Sequence, residues 1–387
     1  MFWTTIHIVD ILLWIIIAAS VFYVLFFAFV SIFPHKNKRQ ENMPNKKNKF
    51  LVLYPAYNED RVIINSVKEF IKQDYPRDLI KTVVISDHMT EDTNNCLREL
   101  PVTLLTPTFK KSSKAKALQY AISECDGEYD YIIILDADNV VKPDFITRIN
   151  TVCNGYKAIQ CHRCAKNLDN DIAVLDGVSE EINNTIFRKA HNRIGLSSAL
   201  IGSGMCFEYK WFKENVVKLS TAGEDRELEA LLLKQGIFIK YFEDIYVYDE
   251  KVSNKDNFQR KRLRWMTAQV QCLLSMLPHI PKAISKGNID YIDKTIQQAL
   301  IPRSILIALT FIFSVFMLIL APCWSIKWWI LFTCLLMAIT IATPASMRKR
   351  SLVNNLSILP NLVWKMCCNI FRIDRKNKDF IHTSHDK

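Results

Sequence analysis

Glycine is scarce in this chain, with 9 among 387 residues. That excludes a collagen-like triple helix, which needs glycine at every third position. Acidic residues are also in deficit, 39 Asp and Glu against 50 Lys and Arg, for a formal charge of +11. Only 23% of the residues are charged while 50% are hydrophobic, so a disordered chain is excluded: this much apolar surface must be covered by something. No disulfide framework is evident either. Cys96, Cys125, Cys153, Cys161, Cys164 and Cys206 are spaced irregularly, which suits a reducing compartment, and the chain is too long to be a stapled mini-domain. Cys161-His162-Arg163-Cys164 has no second ligand pair at zinc-site spacing, and Cys367-Cys368 reads as ordinary free thiols.

Charge is missing altogether from three runs: Ile11 to Phe33 (23 residues), Ser304 to Ile326 (23) and Trp328 to Met347 (20), the last two separated by Lys327. Each is long enough to cross roughly 30 Å of hydrocarbon. The first has no basic region before it and no small-residue cleavage pattern after it, so it reads as an uncleaved anchor. A buried hairpin in a soluble core would need polar outer faces, which the other two lack. Lys36, Lys38, Arg39, Lys46, Lys47 and Lys49 follow the first run against a single acid, Glu41, and Arg348-Lys349-Arg350 follows the third. Basic flanks stay on the cytoplasmic side. The expectation is a multi-pass protein of the inner or plasma membrane with its N-terminus outside, its central segment and tail in the cytoplasm, and a tight turn from Pro322 to Lys327. Attraction to anionic lipid explains the clustered basic residues more simply than nucleic-acid binding, so the bilayer is an expected partner and nucleic acid is not.

The central segment alternates short β-rich runs with helical ones. Strands are expected at Phe50 to Tyr54, Thr82 to Ser86, Val102 to Leu105 and Tyr131 to Leu135, and helices at Asp60 to Gln73, Thr90 to Leu100 and Ser113 to Glu124. Such alternation implies an α/β domain with a mostly parallel sheet covered on both faces, whose ligands bind beyond the carboxyl ends of the strands. Polar residues occupy those ends: Pro55-Ala-Tyr-Asn-Glu59, then Asp87, then Asp136-Ala-Asp138. Carboxylates directly after an Ile-Ile-Ile-Leu strand are costly unless paired, hydrated or bound to a cation. Two acids one residue apart suit a divalent ion that also holds a diphosphate, although each could instead cap a helix. Asp225 falls near the start of another helical run, where a capping role is again open. Phe258 to Trp265 gathers cations around an indole, suited either to a solvated, lipid-facing helix or to a diphosphate beside a sugar.

In order and spacing, Pro55 to Glu59, Asp87 with Asp92-Thr93, Lys114 to Gln119, Asp136-Ala-Asp138, Gly202-Ser-Gly204, Glu224-Asp225 and Arg264-Trp265 resemble the family 2 glycosyltransferases. The similar branch is the membrane-bound one that includes cellulose, chitin, hyaluronan and poly-N-acetylglucosamine synthases, and the likeness runs from about Phe50 to Trp265. It implies a GT-A fold, a Rossmann-like nucleotide-binding domain, and inverting, metal-dependent transfer from a nucleotide-diphosphate sugar to a membrane-associated glycan or lipid-linked acceptor. By the resemblance, Pro55, Tyr57, Glu59 and Asp87 hold base and ribose, with Lys114 near them. Asp136 and Asp138 bind the diphosphate end through Mg2+ or Mn2+. Arg264 and Trp265 contribute to substrate binding, and Asp225 is the general base.

Departures from the pattern bear on the product. Lys261 stands where processive members carry Gln or Arg, Gln119 stands where Asn is usual, and Phe380-Ile-His-Thr383 only approximates a Trp-x-x-Thr element. With few spans as well, a single addition, or a partner subunit for export, is an option. Between the sheet and Asp225, a helix from Asp176 to Arg193 carries Glu180, Glu181, Arg188, Lys189 and His191 on the acceptor side, or else turns them to solvent. Met266 to Leu277, Ile289 to Ala299 and Leu352 to Phe371 look amphipathic and suit the membrane interface. The expected divisions are therefore an anchor at 1–34, a cytosolic domain at 35–265, interface helices at 266–302, two membrane helices at 303–347 and a cytosolic tail at 348–387. A non-catalytic membrane protein that binds nucleotides or a partner is the competing reading, and it has no reason to keep Asp87, Asp136, Asp138 and Asp225 together. A pyrophosphorylase would need a glycine-rich loop near the first strand, and Pro55 to Glu59 contains no glycine.

Overall fold

The computed structural model describes residues 2–34, 46–221, 223–252, 254–348 and 369. Cys367-Cys368, Phe380 to Thr383, most of Leu352 to Phe371 and the basic residues at 35–45 lie outside them. A long helix α1 (Phe2–Val30) precedes β1 (Phe50–Tyr57), α2 (Ile63–Phe70), β2 (Ile80–Asp87), α3 (Glu91–Arg98), β3 (Thr103–Leu105), α4 (Lys114–Glu124), β4 (Tyr131–Ile134), β5 (Val140–Val141) and α5 (Phe145–Val152). Then come β6 (Ala158–Ala165), α6 (Asp171–Asn183), a π-helical stretch Asn184–Ala190 leading into α7 (His191–Arg193), β7 (Met205–Glu208), α8 (Tyr209–Val216), α9 (Glu224–Lys234) and β8 (Ile239–Asp249). The chain closes with α10 (Lys255–Met276), α11 (Ile280–Ser285), α12 (Ile289–Ala299), α13 (Arg303–Leu320) and α14 (Pro322–Ala342).

Eight strands form one sheet in the order β3-β2-β1-β4-β7-β6-β8-β5. β3, β2, β1 and β4 run parallel, β7 is antiparallel to both its neighbours, and β6 and β8 are again parallel. Period-two alternation divides the apolar residues between two layers. Leu51, Leu53, Val83, Ile85, Ile132 and Ile134 face α4, α8 and α9, while Phe50, Val52, Tyr54, Val84 and Ile133 face α2 and α5. Both faces are covered, which is why these strands read as unbroken hydrophobic runs. Order reverses at β1, whose neighbours β2 and β4 lead to opposite sides, and the crevice opens beyond the carboxyl ends there. Expected elements up to β4 differ from the observed ones by at most three residues at either end.

Helices α1, α13 and α14 are long and apolar enough to cross a membrane. Ile17, Val21, Leu306, Trp328, Leu331 and Leu335 pack them together. Outward-facing Leu12, Ile16, Phe26, Ile312, Ile319 and Ile330 are exposed. An apolar surface of that extent on three adjoining helices calls for lipid, and membrane association follows.

Burial distinguishes between two pairs of alternatives that the sequence left open. The helix expected at Asp176 to Arg193 starts at Asp171, and Glu180, Glu181, Arg188 and His191 are buried instead of lying on a solvent face. The partners of Glu180, Glu181 and His191 come from β6 (Arg163, His162), from Lys251 just after β8, and from Tyr23 of α1 and Asp293 and Gln297 of α12, all outside this helix, so the polar pattern looked external. Met266 to Met276 lies in one helix with the basic stretch that precedes it. That helix is α10, whose Lys261 and Arg262 pair with the buried Asp176 at 2.8 and 3.2 Å, so this basic stretch is packed rather than solvated.

Candidate active site

Beyond the strand ends lies a cavity of about 300 Å³ lined by Pro55, Tyr57, Glu59, Asp87, Lys114, Asp136, Asp138, Asp225, Arg264 and Trp265. All ten residues singled out in the sequence thus surround one space. β1 delivers Pro55 and Tyr57, β2 ends on the buried Asp87, and β4 runs directly into Asp136. The chain turns sharply after the first two strands. Asn58 (φ 53°) and His88 (φ 59°) occupy the left-handed region, which side chains with a β-carbon seldom adopt and which clusters at functional sites. His88 Nδ1 meets Asp87 Oδ1 at 2.6 Å, and the Asn58 amide donates to the Asp87 carbonyl at 3.2 Å, so the two turns brace each other.

The acids at the end of β4 have a third companion. One oxygen each from Asp136, Asp138 and Asp249 lies within 4.8 Å of the others, a spacing that one oxygen-seeking cation can bridge. Asn139, fully buried, fixes two of them by donating Nδ2 to Asp138 Oδ1 (3.0 Å) and Asp249 Oδ1 (3.3 Å). The Glu250 amide donates to Asp138 Oδ2 at 2.9 Å. On the far side, Lys251 Nζ pairs with Asp249 Oδ2 at 2.6 Å, and Arg163 donates Nε to Glu180 Oε1 at 2.6 Å. Burial opposes ionisation of Asp249, but Arg163 and Lys251 outweigh it and hold the carboxyl well below its usual range. Asp249 was not identified from the sequence. Its signal was the β-branched and aromatic run of β8, which ends on this acid at the same edge as Asp136 and Asp138.

Lys114, at the start of α4, joins three parts of the site. Its Nζ donates to the carboxylate of Asp136 and to the Gly202 carbonyl (2.6 Å), and lies 3.4 Å from Glu224 Oε1. Burial opposes its charge, but Asp136 and Glu224 together keep its pKa above the ordinary lysine value. Glu224 and Asp225 open α9, where carboxylates favour the exposed amides of a first turn. Asp225 lies in the first turn of α9, whose cap position is Gly223, and accepts the amide of the adjacent Arg226 on Oδ1 at 2.8 Å while also facing the cavity. Burial, offset by Lys114 and reinforced by Asp225 and Asp136, pushes Glu224 up to about 7. From α10, Lys261 Nζ and the Arg262 guanidinium sit 5.3 and 4.9 Å from the ring centre of Trp265. Burial lowers the pKa of Arg264 against the pull of Glu224 and Asp136, as expected of a cation held inside a cavity.

Comparison with known proteins bears on this arrangement. A family model described as "Glycosyltransferase like family 2" matches residues 47–268. The curated protein "Probable glycosyltransferase YdaM" of Bacillus subtilis (strain 168) is 30% identical over 109 residues, which make up 26% of this chain. The match spans only 25% of that relative's own length. Among solved structures, the mannosyltransferase PcManGT from Pyrobaculum calidifontis, in complex with GDP-Man and Mn2+, superposes with a TM-score of 0.56 at 15% identity, over 92% of this chain and 96% of that one. A likeness at that identity speaks to the fold, which is of the GT-A type. The family model takes in more than half of the chain and the whole lining of the cavity from Pro55 to Ala268, and the chain belongs to glycosyltransferase family 2.

Proposed function

We propose that this protein transfers a sugar from a nucleotide-diphosphate donor, with inversion, to a membrane-associated acceptor. The observation that carries the reading is the single cavity in which three metal-suited carboxylates face Asp225 across Lys114. Pro55, Tyr57, Glu59 and Asp87 would hold base and ribose at the β1 and β2 ends. Asp136, Asp138 and Asp249 would hold Mg2+ or Mn2+, whose positive charge offsets that of the departing diphosphate when bound. Arg264 would add a fixed cation on the same side, and Trp265 an apolar platform for the sugar.

Asp225 is the proposed base. As an acceptor hydroxyl attacks the anomeric carbon, its proton passes to the Asp225 carboxylate, a carbon–oxygen bond forms, and the bond to the diphosphate breaks with its electron pair leaving on phosphate oxygen. Attack from the face opposite the leaving group inverts the centre, and no covalent enzyme intermediate is needed.

A membrane acceptor is supported by the surroundings of the cavity. Leu274, Leu277, Ile284, Ile289 and Ile296 point outward from α10 to α12 next to the membrane helices, while α12 turns Asp293, Lys294 and Gln297 inward. A helix that hides its polar side and shows its isoleucines suits the headgroup boundary. The cytoplasmic placement of the domain and the N-out topology rest on the basic flanks read above. Purified protein incubated with a panel of nucleotide sugars is expected to release nucleotide diphosphate only with Mg2+ or Mn2+. Turnover that ignores chelation would sink the reading.

A further inference from the structure

The helix through α6 and α7 departs from regular geometry in one stretch. Between Asn184 and Ala190 it widens into π-helical turns, a rare form that often accompanies functional side chains. The stretch carries Arg188, which is 4% exposed and lines the cavity. Its Nη1 donates to Asn184 Oδ1 at 3.0 Å, and its buried Nε meets no acceptor. Among the described residues no carboxylate pairs with it. Burial lowers the pKa of this guanidinium more than the nearby Tyr241 and Glu180 raise it, as in a cation short of counter-charge.

Two further guanidiniums, brought against α6 from α13 and α10, share this shortage. Arg303, the first residue of α13, donates Nη2 to the carbonyl (3.0 Å) and Oγ (3.3 Å) of Ser179, has a buried Nη1 without an acceptor, and pairs with no carboxylate among the described residues. Arg262 reaches Asp176 Oδ1 at 3.2 Å, but Lys261 shares that carboxylate at 2.8 Å, and the buried Nε of Arg262 meets no acceptor. Asp176, Ser179 and Asn183 follow one another up one face of α6, and Glu180 and Asn183 line the cavity. Buried cations without counter-charge are costly, and the planar arginine fork matches phosphate oxygens.

Position points to the acceptor rather than the donor. Lys114 and the three carboxylates occupy the strand ends, whereas Arg188 reaches the cavity from the π-helical stretch, beside the lining residues Glu180 and Asn183 of α6. Arg303 stands at the root of a helix long and apolar enough to cross a membrane. We propose that Arg188, Arg262 and Arg303 form a phosphate subsite on the acceptor side of the cavity, and that the acceptor is a phosphate-bearing lipid whose chain runs along α13. This rests on the donor-and-base reading above and assigns the acceptor its chemical class.

The test uses the full chain in detergent, with dodecyl phosphate as the probe, dodecanol and inorganic phosphate as controls, and binding followed by calorimetry. Dodecyl phosphate is expected to bind, dodecanol not to, and Arg303→Gln and Arg188→Lys each to weaken the ester about tenfold or more, the usual scale for a lost charge-assisted bond. Equal binding of ester and alcohol, unchanged affinity in Arg303→Gln, or inorganic phosphate binding as tightly as the ester would each overturn the proposal. Should Arg188→Lys fail to fold, Arg303→Gln decides alone. Nucleotide diphosphate binding with Mn2+, measured on the same preparation, separates the two readings: retained nucleotide binding without ester binding refutes only the subsite, and absent nucleotide binding refutes the donor site itself.

Discussion

Gly202 and Asp225 meet across the cavity so closely that a β-carbon on Gly202 would stand 3.6 Å from Asp225 Oδ2. The same β-carbon would lie 3.7 Å from Glu224 Oε1 and 3.8 Å from Lys114 Nζ, so the missing side chain leaves room at the proposed point of reaction. Gly202 also has φ +83°, a conformation that costs an L-residue about 1–2 kcal/mol. Gly202→Ala is therefore expected to lower the melting temperature by a few degrees and kcat by roughly tenfold or more, since a misplacement near 1 Å suffices for that. Unchanged kcat would mean that this space is not used.

Asp225→Asn keeps the shape of the side chain and removes its ability to take a proton. A general base contributes about 10²–10⁴ in rate, so kcat should fall by that much while nucleotide affinity, measured by calorimetry, stays within about twofold. A loss of nucleotide affinity with kcat preserved would contradict the proposed role.

Asp249 serves two structures at once, the carboxylate triad and the buried cations Arg163 and Lys251. Asp249→Asn should weaken Mn2+ binding at least about tenfold in an electron paramagnetic resonance titration. It should also destabilise the metal-free protein by on the order of 3 kcal/mol, because two buried cations lose a counter-charge. An effect on stability without one on Mn2+ would remove Asp249 from the ligand set.

Glu224 gives a prediction for pH. Its folded-state pKa of about 7 lies above its ordinary value near 4.5, so its contribution to stability is fully present below that lower value and is lost as pH rises through 7. The melting temperature of the metal-free protein should include a component that falls over this window, and Glu224→Gln should remove it. An identical pH profile in the variant would show that another group controls the slope.

In the membrane helices, Asp10 of α1 pairs with Lys327 of α14 and accepts the Trp328 indole N–H at 2.8 Å. Asp10→Asn should destabilise the protein by on the order of 3 kcal/mol by stranding the lysine, and a double Asp10→Leu, Lys327→Leu variant should recover most of that. Thermal unfolding in detergent reads both, and a double variant no better than the single one would contradict a pairing role.

Asp10 and Lys327 also illustrate what a linear reading can and cannot find. They appeared only as the borders of uncharged runs. That they neutralise each other depends on α1 packing against α14, more than three hundred residues away. The strands up to β4 were legible because burial on both faces writes an unbroken apolar run. The stretch Gln160-Cys-His-Arg-Cys164 of β6 carries no apolar strand signal, because it is polar and largely buried through partners on α6 and β8.

By itself the sequence determined three membrane-length apolar helices, a parallel α/β core and the ordered acids at its strand ends, because each depends on local periodicity or on neighbours a few residues apart. Tertiary structure alone decided that Asp249 joins Asp136 and Asp138, that Glu180 and Arg163 are internal, and that Arg188, Arg262 and Arg303 meet one helix without enough counter-charge. Those relationships are set by distances between segments far apart in the chain. Electrostatic cost depends on distance and burial, and no spacing along one strand of sequence records either.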